Sequence, residues 1–188
     1  MNMSHERTEL AYSALTASNY AVALSEFSAL ATEGSSYAWH CLGWMHQHAA
    51  GTAKDFAKAE ACYRKAIALG DPDTNFHLAR LLVEEQRHQE AFAYFLAEGD
   101  RGHPSSIYWT GRCYLRGEGV EKDVGKAKLY LERAADKGHL YARRDCSLAK
   151  MRGTFGKRDL LNGVIGWISI FFSLIRLAVS DPYSELLY

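Results

Sequence analysis

The sequence predicts an all-α fold, a solenoid of paired helices followed by one hydrophobic helix, and three observations carry this. Residues 34–70 align without a gap on residues 102–138. The alignment puts Gly34, Gly43, Gly51, Lys54, Asp55, Lys58, Ala59, Ala66 and Gly70 on Gly102, Gly111, Gly119, Lys122, Asp123, Lys126, Ala127, Ala134 and Gly138. Half of that offset, about 34 residues, is the length of one helix–turn–helix repeat. An Ala also stands eleven positions before each terminal Gly: Ala23 before Gly34, Ala59 before Gly70, Ala91 before Gly102 and Ala127 before Gly138. A small residue at one site per unit lets two helices approach closely, and the terminal Gly can take the left-handed conformation that stops the second helix.

Four hairpins and a final helix follow in order. First helices are expected over 5–17, 36–49, 72–86, 104–116 and 140–152, and second helices over 20–33, 56–69, 89–101 and 124–137. Asp71 followed by Pro72 is a start signal, because Asp accepts the first free amides and Pro tolerates the first helical position. The third unit is shorter and joins its helices at Arg87 and His88, whereas the second and fourth insert loops holding Gly51, and Gly117 with Gly119.

Composition narrows the function. The 188 residues are 48% hydrophobic, enough for a core. Lys plus Arg and Asp plus Glu number 22 each, which argues against a generally basic nucleic-acid binder. The start MNMSHERTELAYS places charges where a secretion signal needs apolar residues, so a cytoplasmic domain is expected. Cys41, Cys62, Cys113 and Cys146 form no C-x-x-C pair and are expected as buried thiols.

The run YLRGEGVEKDVGKAKLYLERAADKGH, Tyr114 to His139, resembles the Sel-1-like class of tetratricopeptide-type repeats in its Gly-x-Gly-Val turn, following Asp, Lys-Ala pair and terminal Ala-Ala-x-x-Gly. The second unit repeats the pattern more loosely through Leu42–Met45 and Lys58–Gly70. The resemblance covers approximately residues 5–152 and implies a right-handed α/α superhelix whose first helices line a concave groove. It implies groove positions three, six, ten, thirteen and fourteen residues after each terminal Gly. These include Tyr37, His40 and Trp44, then Phe76 and Arg80, then Tyr108, Arg112 and Arg116, and finally Tyr141 and Arg144. Arg grips carboxylates in two parallel bonds and aromatic rings give apolar area at low rotamer cost, so an acidic or amphipathic peptide is the ligand this mixture suits.

Residues 153–159 read as a basic linker. Leu160 to Ile175 then carries no charge, and on a helix Asn162, Ser169, Ser173, Arg176 and Ser180 share one narrow stripe. Asp181-Pro182 should end this helix, expected over 160–180. Three readings fit: a membrane-spanning tail anchor, a helix that caps the array or docks a partner, and a helix lying in the membrane plane. Trp167, Ile168, Phe171, Phe172, Leu174 and Ile175 would make the membrane or partner contact.

No P-loop, nucleotide-binding Gly fingerprint, HExxH or nucleophile elbow occurs, so no catalytic residue, metal or cofactor is expected. The sequence reading is a non-enzymatic interaction adaptor at the cytoplasmic face of a membrane. The resemblance implies bacterial cell-envelope, polysaccharide or secretion assembly. The alternatives are a soluble regulatory or immunity-like partner and, third, an enzyme.

Overall fold

The protein, a computed structural model, is described over residues 3–156 and 160–180, with side chains over 5–156, 162–173 and 175–176. Among the described residues there are ten α-helices and no strand. They are α1 (Met3–Thr16), α2 (Tyr20–Thr32), α3 (Ser36–His48), α4 (Phe56–Ala68), α5 (Thr74–Glu84), α6 (His88–Asp100), α7 (Pro104–Arg116), α8 (Val124–Asp136), α9 (Leu140–Met151) and α10 (Leu160–Ser180). The chain divides into two compact units, residues 1–94 and 95–188.

A single residue after each repeat glycine closes one helix and serves the next. Gly34, Gly70, Gly102 and Gly138 all have φ between 87° and 97°, a conformation that costs an ordinary L-residue dearly. The following amides turn back to carbonyls five residues earlier, Ser35 to Leu30, Asp71 to Ala66, His103 to Glu98 and His139 to Ala134, satisfying helix-end acceptors. Ser35, His103 and His139 then accept a backbone N–H of the next helix, from Ala38, Ser106 and Ala142, at 3.2 Å in each case.

Asp71 departs from the expected cap. It takes the Asp73 amide at 3.2 Å and the Thr74 hydroxyl at 2.8 Å, and α5 starts at Thr74 rather than Pro72 because residues 71–73 form a turn. Within the hairpins, Asp55 and Asp123 cap α4 and α8 by accepting the Lys58 and Lys126 amides at 2.9 Å. Their own amides return to His46 and Tyr114 carbonyls.

The expected small sites are core. Ala23, Ala59 and Ala127 are fully buried and Ala91 is 1% exposed. The helices also meet at Gly43 and Gly111. A Cβ at Gly43 would lie 2.6 Å from the Tyr63 ring, and one at Gly111 would lie 2.9 Å from Leu131 Cγ and 3.1 Å from its amide nitrogen. In unit 1, Phe27, Leu30, Leu42 and Met45 fill the core around these alanines; in unit 2, Ile107, Leu131 and Ala142 do so. All four cysteines are buried free thiols, and burial pushes Cys41, Cys113 and Cys146 up to about 12.

In unit 2, α10 packs along α9 at a close seam. A Cβ on Gly163 would meet the Met151 nitrogen at 2.6 Å and the Ser147 carbonyl oxygen at 2.8 Å; one on Gly166 would meet Ser147 Oγ at 2.5 Å. Ile170 is buried beside them. Covering α9 is what a capping helix must do, because the last helix of a repeat array otherwise leaves its apolar face open. Among the described residues no helix is long and apolar enough to cross a membrane. The linker residues 157–159, the Leu174 side chain and Asp181-Pro182 lie outside the described residues.

Candidate functional site

The expected groove residues fall on two faces, one per unit. On α3 and α5 of unit 1 they form an aromatic and imidazole surface. Tyr37 stacks on His40 with ring centroids 6.3 Å apart, His40 meets His77 edge-on at 4.5 Å, and Phe76 meets His77 at 5.6 Å. Trp44 lies one helical turn from His48 and stacks on it at 4.6 Å. Arg80 is half-buried on α5.

Hydrogen bonds fix these rings. Thr74 donates its hydroxyl proton to Asp71, so it accepts from His40 Nδ1, 2.8 Å away, and His40 is held as the tautomer whose Nε2 is an acceptor. Burial keeps His40 below its ordinary pKa, although Asp71 and Asp73 oppose this. Further along, the buried Tyr63 hydroxyl donates to Gln47 at 2.8 Å, and Gln47 donates to Glu84 at 2.7 Å. Gln47 is thus spent on structure.

The α7 and α9 face of unit 2 carries the arginines. Arg112 lies over the Trp109 ring at 4.4 Å and the Tyr108 ring at 5.6 Å, and Arg144 lies over Tyr141 at 5.0 Å. Each such contact is worth about 0.5–1 kcal/mol at a partly exposed site and holds the guanidinium over the ring. Asp145 joins the two helices: it accepts the Tyr108 hydroxyl at 2.8 Å and pairs with Arg144 at 2.9 Å. Tyr108 is only 5% exposed and stacks on His139 at 4.5 Å, so it forms the floor of the face. Burial first, and Asp145 second, push its hydroxyl up to about 12. Arg116 is exposed and pairs with Glu118 at 3.4 Å.

The expected groove residues lean on partners that sequence reasoning missed, of which Thr74 is buried and His77, His139 and Asp145 are partly buried. Asp145, Thr74, His77 and His139 organise the faces and lie outside the groove positions that the repeat pattern names. Their signal is position: His139 follows a repeat glycine, as Ser35 and His103 do. Among the described residues no three His, Cys, Asp or Glu side chains converge as metal ligands.

The cap role of His139 sets a pH dependence. Burial lowers its folded pKa, with His103 acting the same way and Asp145 opposing. The folded state therefore takes up the proton less readily than the unfolded chain, whose value is about 6.5. Stability is complete above that value and is lost as pH falls below it towards the lowered folded value. His40 has the same sign. The melting temperature should fall between pH 7.5 and 5.5, and His139→Asn, a neutral cap, should flatten part of the fall. Melting that rises on acidification over this window contradicts the assignment.

The Sel1 repeat family profile matches residues 42–71 and 104–139, the two segments in which glycine close approach, loop and capping Asp recur. These two segments are each similar to one Sel1 repeat. In fold it is similar to a Sel1 repeat protein from Oxalobacter formigenes, with a TM-score of 0.74, 24% identity, and coverage of 86% of this chain and 68% of that one. It is also similar to c5321, a protective antigen of uropathogenic Escherichia coli with an SLR fold, at a TM-score of 0.70 and 22% identity over 90% of this chain and 42% of that one. At these identities the likeness shows the fold. Protein SHC1 of Saccharomyces cerevisiae is 30% identical over 105 residues, 54% of this chain and 20% of that protein. The chain thus spans about a fifth of the length of the curated relative. Sel1-repeat proteins are typically adaptors that bind other proteins, and their fold is typically a non-enzymatic interaction scaffold.

Proposed function

We propose that this Sel1-repeat protein is a non-enzymatic adaptor that holds an acidic, aromatic-containing protein segment, with its last helix attaching it to a membrane or a partner. The setting that fits is bacterial cell-envelope, polysaccharide or secretion assembly at the cytoplasmic side. The observation that carries the reading is the Arg112 and Arg144 pair, each guanidinium laid on an aromatic ring of the α7 and α9 face. Held over its ring, Arg112 loses less rotamer freedom on gripping a carboxylate, while Arg144, whose Nε and Nη2 already meet Asp145 at 2.9 Å, adds positive charge beside it. The α3 and α5 face, with Tyr37 40% exposed beside Trp44 and Phe76, suits an apolar or aromatic side chain.

A displayed peptide library tests this. The intact protein should enrich sequences rich in Asp, Glu and aromatic residues. A variant with Arg80→Ala, Arg112→Ala and Arg144→Ala should lose that enrichment at least tenfold with unchanged helicity, a size expected where charge-assisted bonds worth about 1.5–3 kcal/mol each are lost. Equal enrichment by both proteins would place recognition elsewhere.

A further inference from the structure

The α10 helix shows its apolar side outward. Trp167, Val164, Phe171, Ile175, Ile168, Phe172 and Ile165 are 42–64% exposed, and at 100° per residue they span an arc of about 160°. The opposite side is taken by the Gly163, Gly166 and Ile170 seam against α9. The exposed apolar area is several hundred Å², on the order of the largest patch of an ordinary soluble monomer or above it.

The polar stripe runs along one long edge of this arc. Asn162 and Ser169 line a polar cavity of about 310 Å³ that also holds Glu132, Asp136, Arg143 and Lys150, the last paired with Glu132 at 2.8 Å. Arg143 lies 3.4 Å from Ser169 Oγ, and the exposed Arg176 shares that stripe seven residues on. Two guanidiniums thus border the apolar arc. The charge of the region points the same way: residues 140–180 hold seven Lys or Arg and two Asp or Glu, net +5. The chain as a whole balances at 22 each, so the remainder carries −5.

We propose that α10 lies in the plane of an anionic lipid surface, with its exposed arc in the acyl boundary and Arg143 and Arg176 at the headgroups. A helix of this kind ordinarily needs a broad charged face of its own. Here Arg143, on the α9 helix against which α10 packs, adds to the charge of the thin polar stripe. Net positive charge disfavours a second copy on the same patch, since two such regions repel, and it attracts anionic headgroups by about 1 kcal/mol per cation near the surface. The proposal deepens the attachment part of the adaptor reading, and its test is separate from peptide capture.

Full-length protein is floated with vesicles of phosphatidylcholine alone and with vesicles containing 30% phosphatidylglycerol, an amount set on the order of natural anionic surfaces. Binding to the anionic vesicles should be at least tenfold stronger, fall with added salt and be reversed by alkaline washing. Phe171→Asp with Phe172→Asp should reduce it at least tenfold while peptide enrichment persists, and the triple arginine variant of the repeat faces should still float. Independently of any variant, brominated acyl chains should quench fluorescence in the wild type more than in Trp167→Phe. The proposal is overturned if the protein stays unbound, if it resists alkaline extraction as a spanning protein does, or if the arc proves to be buried in a homodimer or against a protein partner that the aspartates release.

Discussion

Gly111→Val should destabilise unit 2 by about 3 kcal/mol, at the upper end of ordinary overpacking. In an isolated helix the change would be favourable, since Gly is about 1 kcal/mol worse than Ala in a helix interior. Packing reverses the sign. The new Cβ would stand 2.9 Å from Leu131 Cγ and 3.1 Å from the Leu131 amide nitrogen, and the latter is α8 backbone that cannot rotate away. Leu131 is itself fully buried. Gly111→Ala should lose about 1 kcal/mol net, the overpacking cost outweighing the helix gain. Gly43→Ala tests the same contact in unit 1, where the wall is the Tyr63 ring, fully buried and tethered through its hydroxyl to Gln47. Urea denaturation measures each, and a Gly111→Val protein as stable as the wild type would show that α7 and α8 do not meet there.

Gly163→Leu should lift α10 off α9. Both nearest atoms to the added Cβ, at 2.6 Å and 2.8 Å, belong to the α9 backbone, so relief requires α10 to move. A cost of roughly 3 kcal/mol corresponds to about a hundredfold loss of hydrogen-exchange protection across α10. Protection in unit 1 should be unchanged. Ile165→Leu, at an exposed position on the opposite side, is the control that should leave α10 protected. Unchanged protection in Gly163→Leu would mean that the seam does not hold the helix.

The repeat register was legible because it rests on backbone necessity. Gly34, Gly70, Gly102 and Gly138 need positive φ, and Ala23, Ala59, Ala91 and Ala127 must be small, so both signals survive where other positions drift. The alignment contained Gly43 and Gly111 too, yet a glycine inside a helix does not announce which neighbour it admits. The caps by His103 and His139 were not legible from residue preference, because Ser, Thr, Asp and Asn lead at that position; their place after a repeat glycine was the sequence signal, and the spatial return to the preceding helix exposes the role. Tyr108 illustrates the limit for the site. The family resemblance implied a place on the ligand face, whereas Asp145, 37 positions on, occupies its hydroxyl and makes it a support for Arg112.

For α10 the sequence showed an apolar helix with a thin polar stripe and left three environments open. The orientation came from contacts: the glycines face α9 and the rings face away. That choice depends on the shape of α9, which periodicity within residues 160–180 does not encode.

Site-specific photo-crosslinking tests the adaptor account most directly. A benzophenone amino acid placed at Arg116 or Arg144, exposed positions of α7 and α9, is compared with one at Leu129, 64% exposed on α8. In cells, the first two positions should yield an adduct with the same protein, and Leu129 should yield none with it. Adducts formed from Leu129 in preference to Arg116 and Arg144 would contradict the account and move the binding face to the second helices.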